Sequence, residues 1–232
     1  DTEFRSWEHY EDVPPVRDTA ATAFVTVQRG CDYKCTFCVV PYTRGPERSR
    51  KLEDVVREVR QLAGQGTTEV TLLGQTVNSY HDGQSDFADL LRAVGRGDGI
   101  RRVRFTSPYP SDFTDRAIEA MAPPPAVCEH VHLPVQSGSN AVLKRMLRRY
   151  TREQYLEVVA RLRAAIPGIT ISTDIIVGFP GETEEQFQET LTLVEVAGFD
   201  DAYTFRYSLR EGTPAERLKG HLAEDLGGER LE

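Results

Sequence analysis

An α/β fold, a partial TIM-like (β/α)6 barrel, is what this sequence predicts, on three observations. Short runs rich in Val, Ile, Thr, Phe and Tyr recur along the chain, the composition of pleated strands. Segments of helical period separate them, and strands joined by helical crossovers pair in parallel. The third observation is length. A closed eight-fold barrel takes about 250 residues, and the patterned part of this 232-residue chain is shorter.

The strand runs fall at 24–28, 69–73, 102–106, 129–134, 169–177 and 202–207. Helical patterns occupy 52–63, 85–94, 116–121, 141–147, 152–165 and 184–197. In the first of these, Leu52, Val55, Val56, Val59 and Leu62 repeat at the spacing of one buried face. Phe87, Leu90, Leu91 and Val94 do the same in the second. Thr151 and Gln154 spell a capping box, and Thr183 stands where a helix cap belongs. Residues 1–20 are polar, contain proline and show no period, so they read as a linker or arm. The domain is expected at 21–216. Residues 217–232 form a charged tail with Gly227 and Gly228 that looks frayed.

Bulk composition narrows the function classes. Hydrophobic residues make up 39%, enough for a sizeable core and too many for general disorder. No apolar run approaches the roughly 20 residues of a membrane span, and no signal segment opens the chain. A cytoplasmic protein with no membrane partner is expected. The net charge of −8 argues against a general nucleic-acid binder, because phosphate contacts need clustered Lys and Arg. Any RNA contact must come from a local patch or another domain.

Three of the four cysteines, Cys31, Cys35 and Cys38, lie within eight residues. Clustered thiols in a non-secreted chain suggest a metal centre rather than a disulfide framework. Electron-transfer [4Fe–4S] clusters use four thiolates, so three leave one iron open, as a catalytic centre requires. The loop after the first strand is also where a β/α array places its active face. A structural zinc site built from these thiols with Cys128 or a histidine is the alternative, although no second pair of ligands is present. Cys128, before an apolar strand, reads as a small buried hydrophobe.

The words around these cysteines are more specific. Gly30-Cys31-Asp32-Tyr33-Lys34-Cys35-Thr36-Phe37-Cys38 runs on to Pro41-Tyr42-Thr43-Arg44-Gly45. Leu72-Leu73-Gly74-Gln75-Thr76-Val77-Asn78-Ser79-Tyr80, Arg104-Phe105-Thr106-Ser107-Pro108 and His132-Leu133-Pro134-Val135-Gln136-Ser137-Gly138-Ser139 follow in order. The last word is Thr173-Asp174-Ile175-Ile176-Val177-Gly178-Phe179-Pro180-Gly181-Glu182-Thr183. Together, over residues 23–216, they resemble the radical-SAM methylthiotransferases and, within them, the MiaB-type tRNA enzymes.

That resemblance implies a barrel of the radical-SAM type, with Cys31, Cys35 and Cys38 holding a [4Fe–4S] cluster whose open iron takes S-adenosylmethionine. It implies reductive cleavage of that cofactor to a 5′-deoxyadenosyl radical, fed by an electron donor. The product would be a methylthio group at C2 of N6-isopentenyladenosine in the tRNA anticodon stem-loop. A ribosomal-protein methylthiotransferase is the nearest alternative, and an RNA-binding module without chemistry is another. Phe37 is expected beside the cofactor adenine, and Gly74 and Gln75 near its methionine amino group. Gln136 and Ser137 are expected at the ribose or carboxylate, and Asp174 in an inward polar contact. For RNA, Arg44, Arg48 and Arg50 are the candidate phosphate contacts. Lys144, Arg145, Arg148 and Arg149 read as a solvated helix end of favourable dipole sign. Glu182 reads as an acid favoured at a helix start. The family carries three further cysteines for an auxiliary cluster and an RNA-binding domain at its C-terminus. Cys128 alone cannot supply that second site. Thr76 also departs from the family, where Asn is expected.

Overall fold

A computed structural model of the protein describes residues 21–122, 126–222 and 224–231. The arm expected at 1–20 lies outside the described residues. In chain order the strands are β1 (Thr22–Thr26), β2 (Gln28–Arg29), β3 (Arg48–Ser49) and β4 (Glu69–Leu73). They continue as β5 (Arg102–Phe105), β6 (His130–His132), β7 (Thr170–Val177) and β8 (Asp201–Arg206). The helices are α1 (Val40–Arg44), α2 (Leu52–Gly64), α3 (Phe87–Gly95) and α4 (Asp115–Met121). After them come α5 (Asn140–Arg145), α6 (Arg152–Ala165), α7 (Glu184–Ala197) and α8 (Glu224–Glu229).

Two parallel sheets of three strands form, in the orders β1-β4-β5 and β6-β7-β8. A narrow seam joins them. Val103 donates its N–H to Ala126 O (2.7 Å) and accepts from Cys128 N–H (2.9 Å), while Glu129 O accepts from Thr170 N–H (3.0 Å). The spatial order is therefore β1-β4-β5-β6-β7-β8. Among the described residues no strand pairs β1 with β8, so the barrel is open. β2 and β3 form a small antiparallel ribbon at the mouth.

Helices cover one face of the array, and the strands alternate accordingly. Val25, Val70, Leu72, Val103, Val131, Leu133 and Ile171 are fully buried under the helical coat. Each contributes about 1.5–3 kcal/mol on burial. The other face is polar or open to solvent: Phe24 is 70% exposed, and Glu69 pairs with both Arg102 and Arg104. Val55, Val59 and Leu62 anchor α2, and Leu90, Leu91 and Val94 anchor α3, as their periods predicted.

Boundaries shift for local reasons. The run expected at 85–94 becomes α3, which starts at Phe87 because Asp86 and Asp89 form a capping box. The run expected at 141–147 stops at Arg145, and Leu147 turns out of the helix at φ 55°. The predicted box at Thr151 and the cap at Thr183 are both present. The charged end does not fray throughout: Arg230 is buried and pairs with Glu182 at 2.8 Å.

Candidate active site

The cysteine loop leaves β1, passes through β2 and returns along β3, and backbone and side-chain bonds hold its course. Gly30 sits at φ 76°, and a Cβ there would lie 2.0 Å from Pro46 O, so only glycine fits. Its N–H donates to Gln75 Oε1 (2.6 Å), and Cys31 N–H donates to Gly45 O (3.1 Å). Thr36 donates from its backbone to Met146 O (3.0 Å) and from its hydroxyl to Arg145 O (2.9 Å). Ala215 N–H reaches back to Thr36 O (2.9 Å). Three distant segments thus hold one loop.

The thiols themselves are free, with Cys35 buried and Cys31 and Cys38 half-buried. Burial raises the pKa of Cys31 and Cys38, and the other cluster cysteines add to the rise. Three thiolates this close need an electropositive group between them. Three free thiols on one loop, with Cys35 close enough to raise the pKa of the other two, fit the three-thiolate donor set of a [4Fe–4S] cluster with one open iron.

Behind the loop, Gln28 is fully buried at the start of β2. Its amide donates to Ser79 Oγ (2.8 Å) and Thr76 O (3.1 Å), and accepts from Thr76 N–H (3.2 Å). Ser79 Oγ in turn donates to Glu47 Oε2 (2.7 Å), whose carboxyl is pushed upward by burial. Gly74 is tight: a Cβ would meet Gln28 Oε1 at 2.7 Å. Gly74 and Gln75 therefore belong to the wall of the cysteine loop.

The remaining expected residues divide. Phe37 is half-buried and meets Phe179 edge-on at 6.4 Å. Gln136 is buried at φ 71°, and its backbone bonds to Asp174 O and Ile176 N–H continue the sheet at the mouth. Asp174 lines the inner face, where its carboxylate lies 3.3 Å from His132 Nε2. Ser137 differs: its hydroxyl is fully buried against Thr190 Oγ1 (3.3 Å) of α7, pointing into the helical coat. The arginines do not form one open patch. Arg44 is exposed at the end of α1 and Arg48 is half-buried. Arg50 is committed to Thr26 O (2.8 Å) and Glu58 (2.7 Å).

Sequence reasoning passed over two features. On the inner face, Ser172 Oγ lies 3.0 Å from His132 Nδ1 and 3.4 Å from His130 Nε2, so His130, Ser172, His132 and Asp174 form a polar ladder. A cavity of about 400 Å³ opens beside it, lined also by Asp200 and Tyr203. The alternation His-Val-His at 130–132 was the available signal. The second feature is an aromatic cluster under the cysteine loop, with Tyr33 stacked on Tyr109 at 3.9 Å.

A family model described as the Radical SAM superfamily matches residues 25–194. A protein of Alkaliphilus oremlandii named tRNA-2-methylthio-N(6)-dimethylallyladenosine synthase is 52% identical over 95% of this chain and 48% of its own length. One of the same name from Geobacillus kaustophilus is 53% identical over 95% of this chain and 42% of its own. The chain thus spans about half the length of the curated relatives it matches. Among solved structures, the radical S-adenosylmethionine methyltransferase TsrM of Kitasatospora setae, with cobalamin and a [4Fe–4S] cluster, superposes with a TM-score of 0.70. Its identity is 22%, over 84% of this chain and 38% of that one. Coproporphyrinogen III oxidase of Escherichia coli gives 0.64 at 16% identity, over 91% and 50%. These two likenesses carry the fold alone. With the family model covering the cysteine loop and most of the barrel, the chain belongs to the Radical SAM superfamily.

Proposed function

We propose that the chain is the radical-SAM core of a tRNA methylthiotransferase acting at C2 of N6-isopentenyladenosine beside the anticodon. The observation that carries the reading is the loop of three free thiols at the barrel mouth, tied to β4, α5 and the 213–217 segment. Identity of 52% to relatives named for this reaction supports the substrate. When bound, the cluster supplies one electron to S-adenosylmethionine and so generates the 5′-deoxyadenosyl radical.

The chain's residues bind and orient. Cys31, Cys35 and Cys38 ligate three irons. Phe37 packs beside the adenine, Gly74 and Gln75 shape the methionine end, and Gln136 presents backbone at the ribose. Ser137 holds the turn behind that contact. Asp174, paired with His132 on the inner face, is the polar anchor for the cofactor. Arg44 and Arg48 meet RNA phosphate. The auxiliary cluster and further RNA contacts belong to the part of such proteins beyond the span matched here, and cytoplasmic tRNA and an electron donor are the partners.

Anaerobic reconstitution, iron and sulfide counting and a 5′-deoxyadenosine assay test the core. About four irons per chain are expected, and Cys35→Ala should abolish both the iron and the 5′-deoxyadenosine. Stoichiometric zinc with no cofactor cleavage would falsify the reading. For the substrate, the whole protein should add one methylthio group to isopentenylated tRNA, read by nucleoside mass spectrometry. Modification of a ribosomal protein instead would replace the tRNA assignment.

A further inference from the structure

Arg148 lies in the basic run that the sequence alone presents as a solvated helix end. The structure turns it inward. Leu147, in left-handed backbone at φ 55°, swings the chain past α5, and Arg148 N–H closes on Leu143 O (2.9 Å). The guanidinium then lies under the cysteine loop. Nη1 donates to Cys35 Sγ at 3.4 Å, and Nε donates to Tyr150 Oη at 2.9 Å. Its carbon sits 4.4 Å from the centre of the Tyr109 ring and 5.1 Å from that of Tyr150.

The surroundings leave this cation little freedom. Tyr150 Oη is fixed by Val135 O (2.9 Å), and Tyr109 is held by Asn78 through its backbone N–H (2.7 Å) and C=O (2.8 Å). Tyr109 Oη also accepts from Arg149 N–H (2.9 Å). Among the described residues no carboxylate lies within ion-pair distance of Arg148, and Asp112 feels its charge only from farther off. A partly buried guanidinium without a carboxylate needs another anion. The sulfur it addresses belongs to a thiol that becomes a thiolate when iron binds.

We propose that Arg148 is a positioning residue that raises the reduction potential of the cluster by a charge-assisted hydrogen bond to the Cys35 sulfur. The proposal rests on the cluster reading above. Reduction adds one negative charge to the cluster, and a fixed cationic donor stabilises the reduced form more than the oxidised one. Hydrogen bonds to cluster sulfurs are a recognised means of setting such potentials. Cation–π contact with Tyr109 and Tyr150 holds the plane of the guanidinium while leaving an N–H for sulfur.

The test is an anaerobic redox titration of the reconstituted whole protein by electron paramagnetic resonance, comparing wild type, Arg148→Lys and Arg148→Met. At the wild-type midpoint, Arg148→Met should lower the reduced-to-oxidised ratio at least tenfold, a shift of about 59 mV for one electron. Arg148→Lys should recover part of it. Cleavage of S-adenosylmethionine by the Met variant should slow with a weak reductant and recover with a stronger one. A fully loaded Met variant with an unchanged midpoint overturns the proposal. If that variant does not fold, the wild type decides: ¹⁵N-arginine labelling should alter a nitrogen hyperfine coupling to the reduced cluster. No arginine nitrogen coupling also overturns it. A wild type that holds no iron overturns the cluster reading beneath it instead.

Discussion

The half-barrel of β1, β4 and β5 and the half-barrel of β6, β7 and β8 share a strand pattern but place their polar groups differently. In the first, Gln28, Thr76, Ser79 and Glu47 form a network whose product is the shape of the cysteine loop. In the second, Ser137 and Gly138 bond to Thr190, Arg152 reaches Glu189 O, and Arg230 pairs with Glu182. Those contacts lock helices to strands. The network of the first half holds the cysteine loop, and these contacts of the second half close its helical coat. Damage to the two should therefore separate metal binding from stability.

Matched glycine substitutions give the largest expected effects. In Gly30→Ala the new Cβ meets Pro46 O at 2.0 Å and Gly45 O at 2.6 Å, in a loop outside the main sheet. That chain should fold but lose most of its iron. In Gly138→Ala the Cβ meets Glu189 O at 2.5 Å and Thr190 Cα at 2.6 Å, wedging α7 from the barrel. A loss of at least about 3 kcal/mol is expected, because overpacking against backbone cannot relax by a rotamer change. Its folded fraction should still load iron. Thermal melts beside iron counts decide, and the comparison breaks if the two variants exchange phenotypes.

Arg230→Ala sharpens the second half of the comparison. The Glu182 side chain is 1% exposed, and its carboxylate also accepts from Gly178 N–H (2.8 Å). Burial raises its pKa, and the Gly178 and Arg230 contacts only offset this. A carboxyl with a raised folded pKa gives stability that is complete below its unfolded value and is lost as pH climbs through the folded one. Removing the cation raises that pKa further. Arg230→Ala should therefore cost about 3 kcal/mol at neutral to alkaline pH, and less in mild acid where Glu182 is protonated. Denaturant melts across the acid-to-neutral range test this, and a pH-independent loss would refute the pairing.

The halves also differ in how much the sequence discloses. The six strand runs, the helical faces and the cysteine spacing were legible because period and local motif determine them. Arg148 was not. It lies among Lys144, Arg145 and Arg149, and only the left-handed turn at Leu147 sends it inward. Ser137 shows the converse: its place in a site-like word suggested a ligand contact, while α7 packing turned its hydroxyl away. The ion pair between Arg230 and Glu182 spans 48 positions, and no local pattern announces such a contact. Backbone reversals and distant packing decide these three cases.

The smallest expected effect concerns the arginines after the cysteine loop, where the same contrast operates within a few residues. Arg44 ends α1 in solvent, and a phosphate contact there adds a unit charge without altering the fold. Arg44→Ala should leave melting unchanged and lower the slope of log affinity for tRNA against log salt by about one. Arg50 instead ties Thr26 O and Glu58 together, joining the end of β1 to α2. Arg50→Ala should leave the salt slope alone and cost about 1 kcal/mol of stability, the worth of such hydrogen bonds. Both are read by filter binding at several salt concentrations beside a thermal melt. An equal change of slope in the two variants would place both guanidiniums on RNA, and Arg50 would then have to leave Glu58 when RNA binds.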